Sequence, residues 1–164
     1  MRPETPYLCV DEARLDANIA RVATWAAERG LALRPHAKTH KVPEIARRQL
    51  AAGAVGLTAA TIGEAFAAGG ARDLFIAYPL WVDAARGRRL AALAERVALS
   101  IGIDSVAGAE QAARELGNAP VSVLVEVDCG HRRSGVPPHD VCRVAEAAGR
   151  AGLQGAGVFT FTGH

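Results

Sequence analysis

Residues 31–41, which read L-A-L-R-P-H-A-K-T-H-K, gather basic side chains in a pattern that could support chemistry. In a β-strand the side chains alternate between two faces, so one face here would carry the basic groups Arg34, His36, Lys38 and His40. Such a face would bind an anion, and neighbouring cations would favour the neutral, nucleophilic form of a lysine amine. The alternative is a solvated basic loop, which Pro35 favours because proline interrupts a hydrogen-bonded ladder.

Composition excludes several classes of function. The chain has 164 residues, of which 50% are hydrophobic and 22% charged, as expected of one globular domain with a sizeable core. A net charge of +2 with interspersed acids argues against nucleic-acid binding. Charges interrupt the apolar runs, and the N-terminus lacks the apolar core of a signal peptide, so we expect a cytoplasmic protein without membrane contact. Cys9, Cys129 and Cys142 are too far apart for a zinc site, and no metal site is predicted within this chain.

Helix-like and strand-like segments alternate along the chain. Asp11 is placed to cap a first helix that Gly30 would end, and Pro43 can open a second helix that Gly53 would end. Beyond the basic segment, strands are predicted at 55–60, 73–78, 97–103, 121–128 and 155–161. Further helices are predicted near 63–68, 82–96, 106–116 and 139–151. Strands separated by helices indicate parallel crossovers, which makes this an α/β chain.

The faces of the strands favour a barrel over a doubly wound sheet. The odd positions of strand 121–128 are all valine, whereas the even positions include Ser122, Glu126 and Asp128. Strands of a doubly wound sheet are usually apolar on both faces, but a barrel interior can turn polar toward its catalytic end. No G-x-G-x-x-G follows an early strand. We therefore predict a (β/α)8 TIM-type barrel, incomplete here with about six of the eight units, and interpret the chain as part of a longer protein.

Four motifs carry a resemblance to a known family. R-P-H-A-K-T-H-K at 34–41 follows T-P-Y-L-C-V-D at 5–11, E-V-D-C-G-H-R-R-S-G-V lies at 126–136, and T-G-H lies at 162–164. In this order and spacing they resemble the fold-type III pyridoxal phosphate enzymes, in the D-threonine aldolase and D-serine dehydratase branch related to alanine racemase. The resemblance implies the alanine racemase N-terminal barrel over 11–164, and it implies that residues 1–10 associate with a C-terminal β domain.

The resemblance also implies which residue carries the cofactor. Lys38 matches the lysine that forms a Schiff base with pyridoxal 5'-phosphate, and this makes it the expected catalytic residue. Lys41 is the competing lysine, interpreted as a solvated or phosphate-steering cation. His36 is expected at the cofactor site, and Arg34 and His40 are expected to add to the positive field around Lys38.

Further cofactor contacts are implied toward the end of the chain. Arg133 matches the arginine near the phenolic oxygen of the cofactor, where a guanidinium can hold negative charge, and Arg132 is the adjacent alternative. His164 matches a histidine that lines the cofactor cavity. Phe161 departs from the pattern, because relatives often place a histidine or tyrosine nearby to contact the pyridine ring.

The activity implied by the resemblance is that of a pyridoxal phosphate-dependent lyase acting on D-amino acids, either D-threonine aldolase-like or D-serine dehydratase-like. A divalent metal (Zn, Mn or Mg) is expected only in the C-terminal domain, and a homodimer is expected. An amino-acid racemase of the same fold is one alternative. The other is a non-catalytic fragment or pseudo-enzyme whose open barrel edge pairs with another chain.

Overall fold

A computed structural model describes residues 4–66 and 70–162, and within them helices alternate with strands. The helices are α1 Glu12–Ala27, α2 Pro43–Ala51, α3 Ile62–Phe66, α4 Ala84–Ala94, α5 Val106–Leu116 and α6 Val141–Arg150. The strands are β1 Leu57–Ala59, β2 Asp73–Pro79, β3 Ala98–Ile103, β4 Val121–Val127 and β5 Gln154–Thr160. Two short 3-10 turns, Ala37–Thr39 and Pro138–Asp140, precede α2 and α6.

The strands form one parallel sheet whose spatial order, β1-β2-β3-β4-β5, is also their order in the chain. A doubly wound sheet reverses its strand order at a switch point, whereas a barrel adds each new strand beside the last. The sequential order therefore confirms the barrel-type fold predicted from the strand faces. A parallel bridge between His36 and Thr58 attaches the basic segment to the outer edge of β1.

The basic segment is not the strand that we predicted, so the sheet has five strands and one bridge where six strands were expected. Carbonyls of the segment accept ladder bonds from Val55 and Thr58, at 2.9 and 2.8 Å. Pro35 has no N–H to donate, and the chain turns into a 3-10 helix at Ala37. The two-residue alternation of side chains therefore ends at His36, before it reaches Lys38.

The core lies between the sheet and the helices that cover its outer face. Val121, Val123 and Val125 of β4 are each less than 5% exposed, and α6 packs on β4 and β5. Burying each such side chain stabilises the fold by about 1.5–3 kcal/mol. On the inner face, Ser122 and Leu124 are half-buried, which agrees with the predicted division of polar and apolar residues.

The inner face of the sheet is filled by two aromatic rings. Phe75 of β2 and Phe159 of β5 meet edge to face with centroids 4.8 Å apart. Gly102 of β3 lies against the Phe159 ring, since a Cβ there would be 2.8 Å from it.

Local signals fixed most helix boundaries. The Asp11 carboxylate accepts the Arg14 N–H at 3.0 Å, which confirms the predicted cap of α1, and Gly30 ends the following turn with φ +63°. α4 begins two residues later than predicted because Asp83 is its N-cap and accepts the Arg86 N–H at 2.8 Å. The predicted helix 63–68 is observed as α3, and its last two residues lie outside the described residues.

Candidate active site

Lys38 lies in the 3-10 turn Ala37–Thr39, immediately after the bridge to β1. Its Nζ is 5.7 Å from the centroid of the Phe161 ring, and the residue is exposed. No carboxylate forms an ion pair with Lys38 within residues 4–66 and 70–162. The amine is therefore accessible at the end of the sheet where β5 also ends.

His36 shapes the turn that carries Lys38. The imidazole Nδ1 accepts the Lys38 N–H at 3.4 Å, and the His36 carbonyl accepts the Thr39 hydroxyl at 3.3 Å. Burial, followed by the charge of Lys38, lowers the pKa of His36 below its ordinary value, although Glu64 opposes this shift. A neutral imidazole is needed for Nδ1 to act as an acceptor, so the electrostatics and the hydrogen bond agree.

Arg133 is presented by a loop that folds back along β4. The Asp128 carboxylate accepts the N–H groups of Gly130 and Arg132, at 2.9 and 3.0 Å. The loop then returns to β4, where the Val136 N–H donates to the Glu126 carbonyl and the Val136 carbonyl accepts the Asp128 N–H, each at 2.9 Å. The resulting conformation places the Arg133 guanidinium 5.1 Å from the centroid of the Phe161 ring.

Phe161 is the point at which the candidate residues converge. Its ring lies within 6 Å of both Lys38 and Arg133, and 5.1 Å from the His131 ring. The quadrupole of an aromatic ring attracts a cation that lies over its face. The Phe161 ring can therefore bind Lys38 and Arg133 without neutralising their charges. Of the two adjacent arginines, the structure brings Arg133 to this ring; Arg132 instead has a left-handed backbone, with φ +54°.

From the sequence, Tyr78 could either line the cavity mouth or pack in the core, and no role was assigned to it; the structure places it at the site. Its ring is 5.7 Å from the Arg133 guanidinium, and it borders a cavity of about 270 Å³ that Trp81, Asp104 and Ser134 also line. The available signal was its place at the end of β2, because side chains at the carboxyl ends of parallel strands share one edge. Packing explained an aromatic residue there equally well from the sequence alone.

Glu126 is a second residue that sequence reasoning passed over. It is 3% exposed, and its Oε2 atom has no hydrogen-bond partner within the described part of the chain. Burial raises the pKa of Glu126, and the nearby carboxylates of Asp104 and Asp128 add to the shift, whereas Ser134 and Arg133 oppose it. Its position on the polar face of β4 was the usable signal.

Two of the basic residues expected around Lys38 lie elsewhere. Arg34 points toward the opposite end of the sheet, where its guanidinium forms two hydrogen bonds of 2.8 and 2.9 Å with Asp73. His40 lies against the groove between α1 and α2, and its Nδ1 accepts the Val42 N–H at 3.0 Å. The predicted single basic face was wrong because the 3-10 turn rotates the chain between these two positions.

The predictions for Lys41 and His164 have different outcomes. Lys41 is exposed, as predicted for a solvated cation, but it is also paired, since its Nζ lies 3.2 Å from a carboxylate oxygen of Glu64. His164 lies outside the described residues, so its contact with a cofactor stays a prediction.

Other parts of the described chain offer less for chemistry. No group of three or more His, Cys, Asp or Glu side chains is arranged to hold a metal ion within residues 4–66 and 70–162. A larger cavity of about 840 Å³ lies at the amino ends of the strands and is lined by Arg34, Arg72, Ser100 and Ser122 among others. Barrel enzymes act at the carboxyl ends, so we place the site at Lys38 and Arg133. No helix in the described ranges is long and apolar enough to cross a membrane.

Comparison with known proteins gives a family match over most of the chain. The family described as alanine racemase, N-terminal domain, matches residues 10–164. The chain is 40% identical over 139 residues to a D-threonine aldolase of Arthrobacter sp., which covers 82% of this chain and 36% of the aldolase. It is 36% identical over 171 residues to a D-threo-3-hydroxyaspartate dehydratase of Delftia sp., which covers 98% of this chain and 44% of the dehydratase.

A solved structure shows the same likeness. The D-threonine aldolase of Filomicrobium marinum superposes with a TM-score of 0.88 at 34% identity, over 94% of this chain and 43% of the aldolase. The chain therefore spans about two-fifths of the length of these relatives. An uncharacterized protein of Mycobacterium tuberculosis is 46% identical over 109 residues, which are 64% of each chain.

Proposed function

This chain belongs to the alanine racemase N-terminal domain family, and we propose that it supplies the cofactor-binding end of a pyridoxal phosphate-dependent lyase that acts on D-amino acids. The observation that carries the proposal is the placement of two cations, Lys38 and Arg133, over the ring of Phe161. Neither cation forms an ion pair with a carboxylate of the described residues. Two such cations beside one apolar ring would favour an anionic, planar ligand.

The residues of the site fit pyridoxal phosphate chemically. Lys38 offers an exposed amine that would hold the cofactor covalently, and Arg133 offers a guanidinium that would hold negative charge at the phenolic oxygen. Phe161 gives the site a flat apolar wall, though it donates no hydrogen bond to the pyridine ring. The lowered pKa of His36 favours its neutral form, and the His36 imidazole would orient Lys38 through the backbone N–H of Lys38.

The reaction follows from what the cofactor does. Once bound, pyridoxal phosphate provides an electron sink for a carbanion at the substrate Cα. Loss of the side chain of a β-hydroxy-α-amino acid would make the protein an aldolase, and loss of the β-hydroxyl would make it a dehydratase. The two named relatives support a lyase of one of these types, and a racemase of the same fold is the alternative.

The remaining parts of the proposal concern the whole protein. We place a divalent metal (Zn, Mn or Mg), the phosphate-gripping loops and a homodimer contact in parts that the longer relatives have beyond the matched region. We also propose that residues 1–10 pack on a C-terminal β domain. Their exposed apolar side chains support this, since Tyr7, Leu8 and Val10 are 57%, 99% and 60% exposed. A cytoplasmic location belongs to the same proposal.

Covalent trapping tests the assignment of Lys38. The full-length protein is incubated with pyridoxal phosphate, reduced with borohydride and mapped by peptide mass spectrometry. We expect the label on the peptide that contains Lys38, and its loss in Lys38→Ala. Label on Lys41 instead, or on no residue of this region, would overturn the proposal.

The arginine assignment has a matched control in the adjacent residue. We expect Arg133→Met to weaken the affinity for pyridoxal phosphate about tenfold or more, because a hydrogen bond to a charged group contributes about 1.5–3 kcal/mol. Arg132→Met, which removes the neighbouring guanidinium, should leave the affinity nearly unchanged. Equal losses in the two variants would contradict the role of Arg133.

Assays with D-threonine, D-serine and alanine, with and without divalent metal, then choose among aldolase, dehydratase and racemase.

The pairing alternative has one supporting observation. β5 is an edge strand of the described sheet, and six of its seven residues are exposed. A strand edge of this kind can pair with another chain. If the full-length protein takes up no label from pyridoxal phosphate, the pairing alternative gains over the enzyme.

A further inference from the structure

Lys41 lies three residues beyond Lys38 and closes the same turn. Its N–H donates to the Ala37 carbonyl at 2.8 Å, and its backbone adopts the left-handed region with φ +54°. Residues other than glycine rarely adopt this conformation, because the Cβ atom crowds the backbone. Surrounding contacts must therefore hold the chain in this shape.

The Glu64 carboxylate provides such a contact. One oxygen lies 3.2 Å from Lys41 Nζ, and the other accepts the Ala60 N–H at 2.9 Å. The Glu64 side chain is only 11% exposed. The carboxylate thus joins the turn after the basic segment to the connection between β1 and α3.

The charge on Glu64 is favoured at this position. Burial by itself would raise the pKa of Glu64, but the Ala60 N–H and then Lys41 outweigh it and hold the pKa below its ordinary value. Glu64 therefore carries its charge at neutral pH, and Lys41 is its cationic partner. His36, on the other side of the turn, also feels this carboxylate.

We propose that Lys41 and Glu64 form a latch that fixes the turn Ala37–Thr39, so that Lys41 is a positioning residue for Lys38 and not a ligand of the cofactor. That Lys38 is positioned for a cofactor rests on the proposed function. That the pair fixes the turn does not, because it follows from contacts within the chain.

Amide hydrogen exchange of the full-length, cofactor-free protein tests the latch directly. Lys41→Met removes the cation, and Glu64→Gln removes the charge but keeps an oxygen for the Ala60 N–H. We expect each variant to speed exchange at the Lys38 and Lys41 amides about two- to fivefold, the range for a pair with one exposed partner. Lys41→Arg should restore slow exchange.

Two controls separate the latch from a general loss of structure. Arg47→Met removes another cation that pairs with a carboxylate, but in α2 and without contact with the turn, so exchange at Lys38 and Lys41 should not change. The double variant Lys41→Met/Glu64→Gln should exchange no faster than either single variant, because the two changes remove one shared interaction.

A second measurement connects the latch to the cofactor. The rate at which pyridoxal phosphate becomes trapped on Lys38 should fall about two- to fivefold in Lys41→Met, and Lys41→Arg should recover it. Unchanged exchange in both single variants, or additive effects in the double variant, would overturn the latch. A third outcome is that exchange is faster in the single variants but pyridoxal phosphate is trapped in no protein, the unmodified one included. That outcome would uphold the latch and refute the proposed function.

Discussion

Glu126 shows at the scale of a single residue how burial alters a side chain that looks ordinary in the sequence. It occupies the polar face of β4, as the alternation of residues predicted. Only the folded chain removes it from water, to 3% exposure, and brings Asp104 and Asp128 close enough to disfavour its charge. Burial and nearby carboxylates of this kind shift the pKa of a carboxyl group upward, because they disfavour its charged form.

Replacement of Glu126 by a neutral isostere should therefore stabilise the protein at neutral pH. The folded-state pKa of Glu126 is raised above 4.5, so the stability due to this group is present below pH 4.5 and is lost as the pH rises through the folded-state pKa. We expect Glu126→Gln to increase the free energy of unfolding at pH 7 by about 1 kcal/mol, with a smaller gain near pH 4. Denaturant unfolding at both pH values measures the difference.

Glu110, an exposed residue of α5, provides the control for this measurement. Glu110→Gln should change the free energy of unfolding little at either pH. If Glu126→Gln destabilises the protein equally at pH 7 and pH 4, then the carboxylate is held by a favourable contact and its burial does not raise its pKa.

Lys38, His36 and Arg133 illustrate what short motifs can predict. They became candidates because the motifs that contain them resemble those of a known family, and the structure places Lys38 and Arg133 at one ring. Arg34 and His40 could not be placed correctly in this way. The partner of Arg34 is remote in sequence, and His40 lies on another face of the turn. The carboxylate that binds Arg34 is 39 residues away in the chain.

Helix packing decides stability at the scale of the elements, and two glycines within helices show how. Gly87 of α4 faces α5, where an added Cβ would lie 2.6 Å from the Glu115 carbonyl oxygen. Gly149 of α6 has nothing within 4 Å of such a Cβ. The same substitution should therefore have opposite effects at these two positions.

We expect Gly87→Ala to lower the free energy of unfolding by about 1–3 kcal/mol, because α4 and α5 must separate to admit the methyl group. Gly149→Ala should raise it by about 0.5–1 kcal/mol, the gain from replacing glycine by alanine in an exposed helix. Thermal unfolding of the two variants measures both effects. A stabilising Gly87→Ala would mean that the two helices have room to spare.

The elements themselves were largely predictable. Asp11, Pro43 and the valines of β4 are local signals for a helix cap, a helix start and a buried strand face, and each was observed as predicted. The basic segment was not, because its strand propensity competes with Pro35 and with the hydrogen bond from Lys38 to the His36 side chain. The outcome depends on the position of Thr58, whose N–H donates to the Pro35 carbonyl.

At the scale of the whole molecule, the exposed edge of β5 bears on association. Val158 is 57% exposed on this strand, and lysine on a strand edge blocks pairing between sheets. We propose a homodimer that forms through parts of the protein other than this edge. Val158→Lys in the full-length protein should then leave the dimer intact in sedimentation equilibrium.

Val55 gives the matched control, since it is 51% exposed in the connection before β1. Val55→Lys should also leave the dimer intact. Dissociation in Val158→Lys alone would contradict this proposal and support pairing through the β5 edge.

The sequence by itself determined the alternation of helices and strands and the barrel-type fold, because these depend on periodicity and caps. It also determined the candidates Lys38 and Arg133, because the motifs that contain them resemble those of a known family. Only the tertiary structure decided that Arg34 and His40 leave the site, that Lys41 pairs with Glu64, and that Phe161 gathers the two cations. The physical reason is that charge pairing and burial act between side chains that are close in space but distant in the chain. The 3-10 turn Ala37–Thr39 rotates the backbone, and this rotation is enough to separate Arg34 and His40 from Lys38.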